Sequence, residues 1–414
     1  MDVRLEFTTH VTPRFSADGQ HFALDLPVDG AHALVLDGRE VARSDRHFMY
    51  FELAPDGAWI TYAISELRPG QNTRGLLVHR GVASELAGEP AALAVTPDGE
   101  HVAVGVSRGG GGDGAVVLDG KQLARAVSPR MLTLSDDGKR WAYAETISHR
   151  TGGETVTVDG VKSKPMLAAW GLRFSPDGAH VAYQSLQHKG RSTTATVVVD
   201  GKPGKTWLRT SEALRFTAAG EVVYEAADAA GAWVVVGEQA YGPYQRVYGP
   251  DVAGSRVGWA AETVDERMTV LRVWLDGAPV WRAELGALSP RDDRGPAVQG
   301  LVVAPVGYRV VFGTAAVESS RHPTAMQIAR GEPVAIDAAG ERVALVHRGG
   351  AGQTVEVVDA RVATVFAPEG PPMVEVFGDT IRFVGDEVHY FARTATQLVF
   401  VRSPARVVVM RVGP

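Results

Sequence analysis

Three stretches of this chain carry patterns that chemistry could use, and each lacks the element its chemistry requires. Gly105-Val106-Ser107-Arg108-Gly109 has the G-x-S-x-G spacing of a serine-hydrolase nucleophile elbow. That elbow is a sharp strand-to-helix turn, whereas Ser107 ends a strand-like run, HVAVGVS, and a glycine-rich loop follows. Residues Gly109 to Gly114 satisfy G-x-G-x-x-G, but a phosphate cradle needs a helix N-terminus behind it, and here another strand-like run, AVVLDG, comes next. The 12 histidines show neither H-x-H nor H-E-x-x-H spacing, and the absence of cysteine removes thiolate metal sites and a cysteine nucleophile. Asp18, Asp56, Asp98, Asp137 and Asp177 each precede a glycine. Turn chemistry accounts for them without calcium. The expectation is no catalytic residue, no metal and no cofactor.

Binding chemistry has better material. Polar stretches of varied length at 65–75, 107–115, 146–155, 185–194, 262–269, 315–324 and 347–354 contain Arg68, Arg74, Arg108, Arg150, Lys189, Arg191, Arg267, Arg321 and Arg348. Together they would make a mildly basic rim for an acidic partner, with neighbouring acids such as Glu66, Asp113 and Glu154 cancelling part of the charge. The competing reading is ordinary solvated loops. A second candidate is YGPYQRVYGP at Tyr241 to Pro250, a loop-like segment bounded by Gly and Pro. Its Tyr241, Tyr244, Arg246 and Tyr248 are residue types enriched at interfaces. Its plain alternative is a link between strands.

The elements that would position these residues come from an internal repeat. FSPDGAHVAY at Phe174 to Tyr183 recurs as FSADGQHFAL, LAPDGAWITY, VTPDGEHVAV and LSDDGKRWAY. Their glycines, Gly19, Gly57, Gly99, Gly138 and Gly178, lie 38, 42, 39 and 40 residues apart, and weaker copies continue to Gly385. A second phrase, VLDG at Val35 to Gly38 and again at Val117 to Gly120, follows each first one and recurs before Gly160, Gly201 and Gly277. Asp-Gly between alternating apolar runs signals a type I′ hairpin turn, and the flanking tracts are rich in β-branched and aromatic residues. One period is therefore read as strand A, an Asp-Gly turn, strand B, a variable loop, strand C, an Asp-Gly turn and strand D. The polar stretches fall in the B–C loops. Recurrent aromatics such as Tyr62, Trp141, Tyr143, Tyr183, Trp233 and Trp274 are assigned to packing between units.

Four short antiparallel strands per period predict an all-β chain, a β-propeller of about ten four-stranded blade units. Phe174, Ser175, Pro176, Asp177, Gly178, Val181, Ala182 and Tyr183 match the hallmark phrase of the TolB-type, WD40-like propeller repeats, which the chain resembles along its length, most closely up to about residue 205. The resemblance implies architecture more than activity. Residues 1–414 read as one continuous array, closing as one large ring or dividing near residue 210 into two five-bladed rings. Val3 to Phe7 is placed to supply a D strand to the last blade, and LSPRDDRGPAVQG at Leu288 to Gly300 is read as an insertion.

Composition narrows the function classes. Apolar residues make up 45% and charged residues 22% of 414, the balance of a globular chain, and the net charge of −6 argues against nucleic acid as a partner. No apolar stretch is long enough to span a membrane as a helix, and no signal peptide opens the sequence. The expected setting is the cytoplasm of a bacterium, or the periplasm or exterior if a leader has been removed. The leading expectation is a non-enzymatic scaffold that binds a protein or peptide through the B–C loop face. The alternatives are a hydrolase or lyase with a site in the central channel, and a structural subunit of a larger assembly. Oligomeric state is left open.

Overall fold

The structure, a computed structural model of the chain, describes the backbone from Arg14 to Gly286 apart from 17–20, 29, 38, 67–73, 109–113, 148–151, 191 and 266–267. Beyond residue 286 it describes ten strand segments between 298 and 411, and side chains are described up to residue 280 except beside those gaps. Every regular element among the described residues is a strand. The chain divides into two compact units, one reaching Leu214 and the other starting at Arg215.

The first unit holds five sheets, each a four-stranded antiparallel meander in sequence order. They are β1 (Arg14–Phe15), β2 (Phe22–Val28), β3 (Ala31–Leu36) and β4 (Arg39–Ser44); then β5 (Tyr50–Leu53), β6 (Ile60–Glu66), β7 (Arg74–His79) and β8 (Val82–Leu86). Next come β9 (Glu89–Val95), β10 (Val102–Ser107), β11 (Gly114–Leu118) and β12 (Lys121–Ala126), followed by β13 (Arg130–Leu134), β14 (Trp141–Thr146), β15 (Glu154–Val158) and β16 (Val161–Lys162). The fifth sheet is β17 (Ala168–Phe174), β18 (Val181–Lys189), β19 (Ser192–Val199) and β20 (Lys202–Trp207), and a short β21 (Arg209–Thr210) follows. The first strands of successive sheets pack on one another, β1 on β5, β5 on β9, β9 on β13 and β13 on β17. Strand A is thus the innermost strand of each blade, as a propeller requires.

The second unit repeats the plan. Strands β22 (Arg215–Phe216), β23 (Val222–Asp228), β24 (Gly231–Val236) and β25 (Gln239–Tyr244) form one blade, and β26 (Arg246–Ala253), β27 (Arg256–Asp265), β28 (Met268–Leu275) and β29 (Ala278–Gly286) the next. The strand segments beyond residue 298 make three further antiparallel sheets. Among the described residues the sheets number ten, and of the last three two are three-stranded and one has its strands out of sequence order.

The core is a row of seams between blades. One seam sets Ala142, Ala144 and Val156 of the fourth sheet against Ala169, Leu172, Val181 and Tyr183 of the fifth. Another sets Ala94, Ala103 and Val116 of the third against Leu132, Leu134 and Tyr143 of the fourth. Small residues on one blade receive bulky ones from the next, so neighbouring sheets approach closely enough to fill the seam. The aromatics assigned to packing take that part: Tyr143 is 1% and Tyr183 5% exposed.

The two Asp-Gly phrases differ in their turns. At the C–D position Asp119 and Gly120 have φ of 49° and 77°, and Asp159–Gly160, Asp200–Gly201 and Asp276–Gly277 do likewise, which is the type I′ hairpin the sequence predicts. The A–B phrase forms a longer loop instead, in which the glycine alone has positive φ. Ser175 to His180 shows why. The Ser175 N–H donates to the His180 carbonyl at 2.8 Å, the Gly178 N–H donates to the Ser175 carbonyl at 2.9 Å, and the buried Ser175 hydroxyl accepts the His180 N–H at 2.9 Å. Four residues must bridge what a hairpin turn spans with two, so the expectation of two tight I′ turns per blade holds for one.

Candidate functional face and its polar clusters

The faces at the two ends of the blades differ. On the face of the A–B and C–D turns the polar groups are engaged within the fold. Ser16, Thr96, Ser135, Ser175 and Thr217 are buried, and their hydroxyls accept the N–H of His21, His101, Arg140, His180 and Glu221. The residue so positioned then clasps the aspartate of its own C–D turn: His21 with Asp37 at 2.6 Å, His101 with Asp119 at 2.8 Å, Arg140 with Asp159 at 2.9 Å and His180 with Asp200 at 2.7 Å. In the second unit Arg256 meets Asp276 at 3.3 Å. The second carboxylate oxygen of Asp119, Asp159, Asp200 and Asp276 accepts a backbone N–H from the start of strand B at 2.8–2.9 Å. One aspartate thus holds both hairpins of a blade.

Further bonds tie one blade to the next. Arg140 donates to the Gly178 and Ala179 carbonyls at 3.0 and 2.7 Å, and His79 meets the Gly99 carbonyl at 3.0 Å. The electrostatics follow the geometry. Bonds from the Ser175 hydroxyl and then the Ala179 amide hold the Asp177 carboxyl below its usual range, and the bond to Asp119 raises the His101 imidazole. Burial lowers the His79 imidazole.

The opposite face is irregular. In the first unit the A–B loops at 16–21, 54–59, 96–101, 135–140 and 175–180 all have six residues, and every C–D turn has two. The B–C connections range from two residues at 29–30 to seven at 67–73 and 147–153, and the D–A links run from two at 87–88 to five at 163–167. This face leaves Met49, Leu208, Ile147, Trp170 and Leu167 in solvent, a wider apolar set than Val82 and Val161 beside the C–D turns of the other face. Beside them Arg130 makes a two-pronged pair with Glu154, donates to the Ala169 carbonyl at 2.8 Å and stacks 4.8 Å from the centre of the Trp170 ring.

The predicted rim residues are only partly described. Arg108 is exposed and donates to the Ala87 carbonyl at 3.3 Å. Arg68, Arg150, Arg191, Arg267 and Arg321 lie outside the described residues. Arg74, Lys189 and Arg348 lie on strands whose side chains at those positions are likewise outside them. Three of the expected loops are shorter than read. Strands β18 and β19 pair out to Lys189 and Ser192, β27 and β28 out to Asp265 and Met268, and the strands at 345–349 and 352–356 out to Gly349 and Gly352. Polar residues continue a hairpin beyond its apolar seam because cross-strand bonds need no buried face, so composition places the loop too early.

Tyr241 to Pro250 is not a loop. It is the end of β25 and the start of β26 with Gln245 between them. Tyr248 is 8% exposed and its hydroxyl donates to Glu262. Tyr244 packs 4.9 Å from Trp274, and its hydroxyl accepts from the Trp259 indole at 3.3 Å. Tyr241 lies 4.9 Å from Trp259, and Arg246 is exposed. The tyrosines serve the unit's own packing: a register shift in the pairing of β24 with β25 lets both Tyr241 and Tyr244 pack against the seam that holds Val234 and Trp259. The G-x-S-x-G serine is likewise on a strand, where Ser107 at the end of β10 pairs with Glu89 of β9, and residues 109–113 after it lie outside the described residues.

One cluster escaped the sequence reading. Asp25 of β2, His32 of β3 and His47 of the link at 45–49 converge on the loop face of the first blade, their ligating atoms all within 4.8 Å of one another. Spacings of 7 and 15 residues carry no motif. The available signal was weak, since the strand-B position of Asp25 holds Ala63, Gly105 and Ala144 in three other blades but Gln184 and Glu225 in two more.

No family model matches the chain, and no curated protein does. Solved structures do resemble it. A Dos1 propeller aligns at 10% identity with a TM-score of 0.39, over 75% of this chain and 92% of its own. The β-propeller domain of the Trilobed protease from Pyrococcus furiosus aligns at 12% and 0.35, over 66% and 97%. A TolB candidate from Agrobacterium tumefaciens aligns at 14% and 0.25, over 55% and 89%. Likeness at this level concerns the blade repeat and leaves function to the chain's own residues.

Proposed function

We propose that this chain is a non-enzymatic propeller scaffold that binds a protein or peptide partner through its B–C loop face. The observation that carries the reading is the asymmetry of the two faces. Loops of constant length with internally satisfied polar groups have little left to offer a ligand. The other face combines loops of varied length with solvent-exposed Met49, Ile147, Leu167, Trp170 and Leu208 beside Arg108 and Arg130. Apolar and aromatic anchors mixed with arginine are the make-up of interface hot spots, and varied loops on a rigid frame are where binding concentrates. The basic rim of Arg68, Arg74, Arg150, Lys189, Arg191, Arg321 and Arg348 belongs to the same proposal, with a partner surface that is acidic around an apolar centre.

Affinity capture followed by mass spectrometry tests it with three proteins: the native chain, a Trp170→Ser/Leu208→Ser variant, and a Lys139→Glu/Lys202→Glu variant altered on the turn face. Partners captured by the native chain should be lost with the first variant and retained with the second. Equal recovery from all three would sink the reading.

A further inference from the structure

We infer that Asp25, His32 and His47 form a binding site for a divalent transition ion of the zinc class, on the loop face of the first blade. The site does not depend on the partner-binding proposal. His32 Nδ1 lies 3.2 Å from Asp25 Oδ1 and His47 Nδ1 lies 3.2 Å from Asp25 Oδ2, so two imidazoles aim the same nitrogen at one carboxylate. Their ring centres are 3.7 Å apart.

The other histidine–aspartate pairs of this unit supply the comparison. His21–Asp37, His101–Asp119 and His180–Asp200 each join one imidazole to one carboxylate at 2.6–2.8 Å, the range of a charge-assisted hydrogen bond. The cluster is wider and holds one imidazole more. Ligands at about 2.0–2.1 Å from a tetrahedral zinc lie about 3.3 Å from one another. Each 3.2 Å separation matches an edge of a coordination tetrahedron as well as the long end of the hydrogen-bond range, and the three ligating atoms lie within 4.8 Å of one another.

The surroundings suit such an ion. The Phe48 N–H donates to Asp25 Oδ2 at 3.1 Å, the kind of outer bond that orients a ligating carboxylate. The side chains of Asp25 and His32 are each 15% exposed and fixed on adjacent strands, while that of His47 is 51% exposed. Two ligands stand on strands and the third on an exposed link, and three protein ligands leave a fourth position to a water molecule. Two nitrogens and one oxygen with an open position match borderline ions such as zinc and cobalt and disfavour magnesium or calcium, which take oxygen ligands.

The test uses the full chain without a histidine tag, stripped by dialysis against a chelator and titrated with zinc and, separately, with cobalt. One zinc ion per chain should bind, and cobalt should give the intense visible bands of a tetrahedral site. His32→Ala and His47→Ala should each weaken zinc by more than about 100-fold, since loss of an outer-shell partner alone costs about 10–100-fold. Asp25→Asn keeps an acceptor for the Phe48 amide, so it removes the ligand charge while sparing the link, and it too should weaken zinc. His188→Ala, at an exposed histidine elsewhere, should leave affinity unchanged. Failure of the native chain to take up one equivalent overturns the inference, as does unchanged uptake by a folded His32→Ala/His47→Ala protein.

Discussion

Replacing Asp200 separates the two jobs assigned to the C–D turn aspartate. Its backbone sits at φ 50°, and its carboxylate accepts the Val181 N–H at 2.9 Å and clasps His180 at 2.7 Å. Val181 is 2% exposed, so Asp200→Ala leaves a buried donor unpaired at a cost of about 1–3 kcal/mol. Forcing alanine into the left-handed region adds about 1 kcal/mol. The sum, about 3 kcal/mol, lowers the melting temperature of a unit of this size by about 6–12 °C. Asp200→Gly relieves the backbone but still orphans the Val181 amide, and should lose about 2 kcal/mol. Asp200→Asn keeps an acceptor and tolerates positive φ, and should stay within about 1 kcal/mol of the native chain. Thermal unfolding followed by circular dichroism ranks the three. An Asn variant as unstable as Ala, or an Ala variant that melts with the native chain, would refute the two-job account.

Two further outcomes follow from the same face. Gly120→Ala meets open space at φ 77° and should cost about 1 kcal/mol of backbone strain, whereas Gly138→Ala adds a Cβ 2.1 Å from the His101 ring at φ 67° and should cost several times that by thermal melt. The raised pKa of His101 makes its folded form hold a proton longer than the unfolded chain does, so its contribution is complete below the ordinary histidine range and is lost as pH rises through the raised value. Melting temperature plotted against pH should therefore decline less on that limb in His101→Gln than in the native chain; parallel curves would show that the clasp to Asp119 carries no linked proton.

The repeat, the blade order and the C–D hairpin turns were legible in the sequence because they rest on local chemistry. Asp-Gly at the C–D position can be read directly, since positive φ at two successive residues selects those residue types wherever the turn lies. The short continuous apolar runs Val181 to Tyr183 and Val197 to Val198 likewise announce strands, here buried on both faces. The serine of the first phrase has its reason only in the folded blade, where the Ser175 hydroxyl serves the His180 amide five residues away.

The tyrosines of 241–250 were misplaced because Gly and Pro, which usually mark loops, here accompany a strand pair whose rings pack against Trp259 and Trp274. Which charges are free and which are committed was also beyond local reading. Arg130 looks like any strand-end arginine until Glu154 and Trp170, 24 and 40 residues on, close around it. Asp25, His32 and His47 are the clearest case. A hairpin turn is decided by the dihedral preferences of neighbouring residues. A convergence of three side chains from two strands and a link is decided by strand register and by the path of the chain between blades, so only the tertiary structure could bring them together.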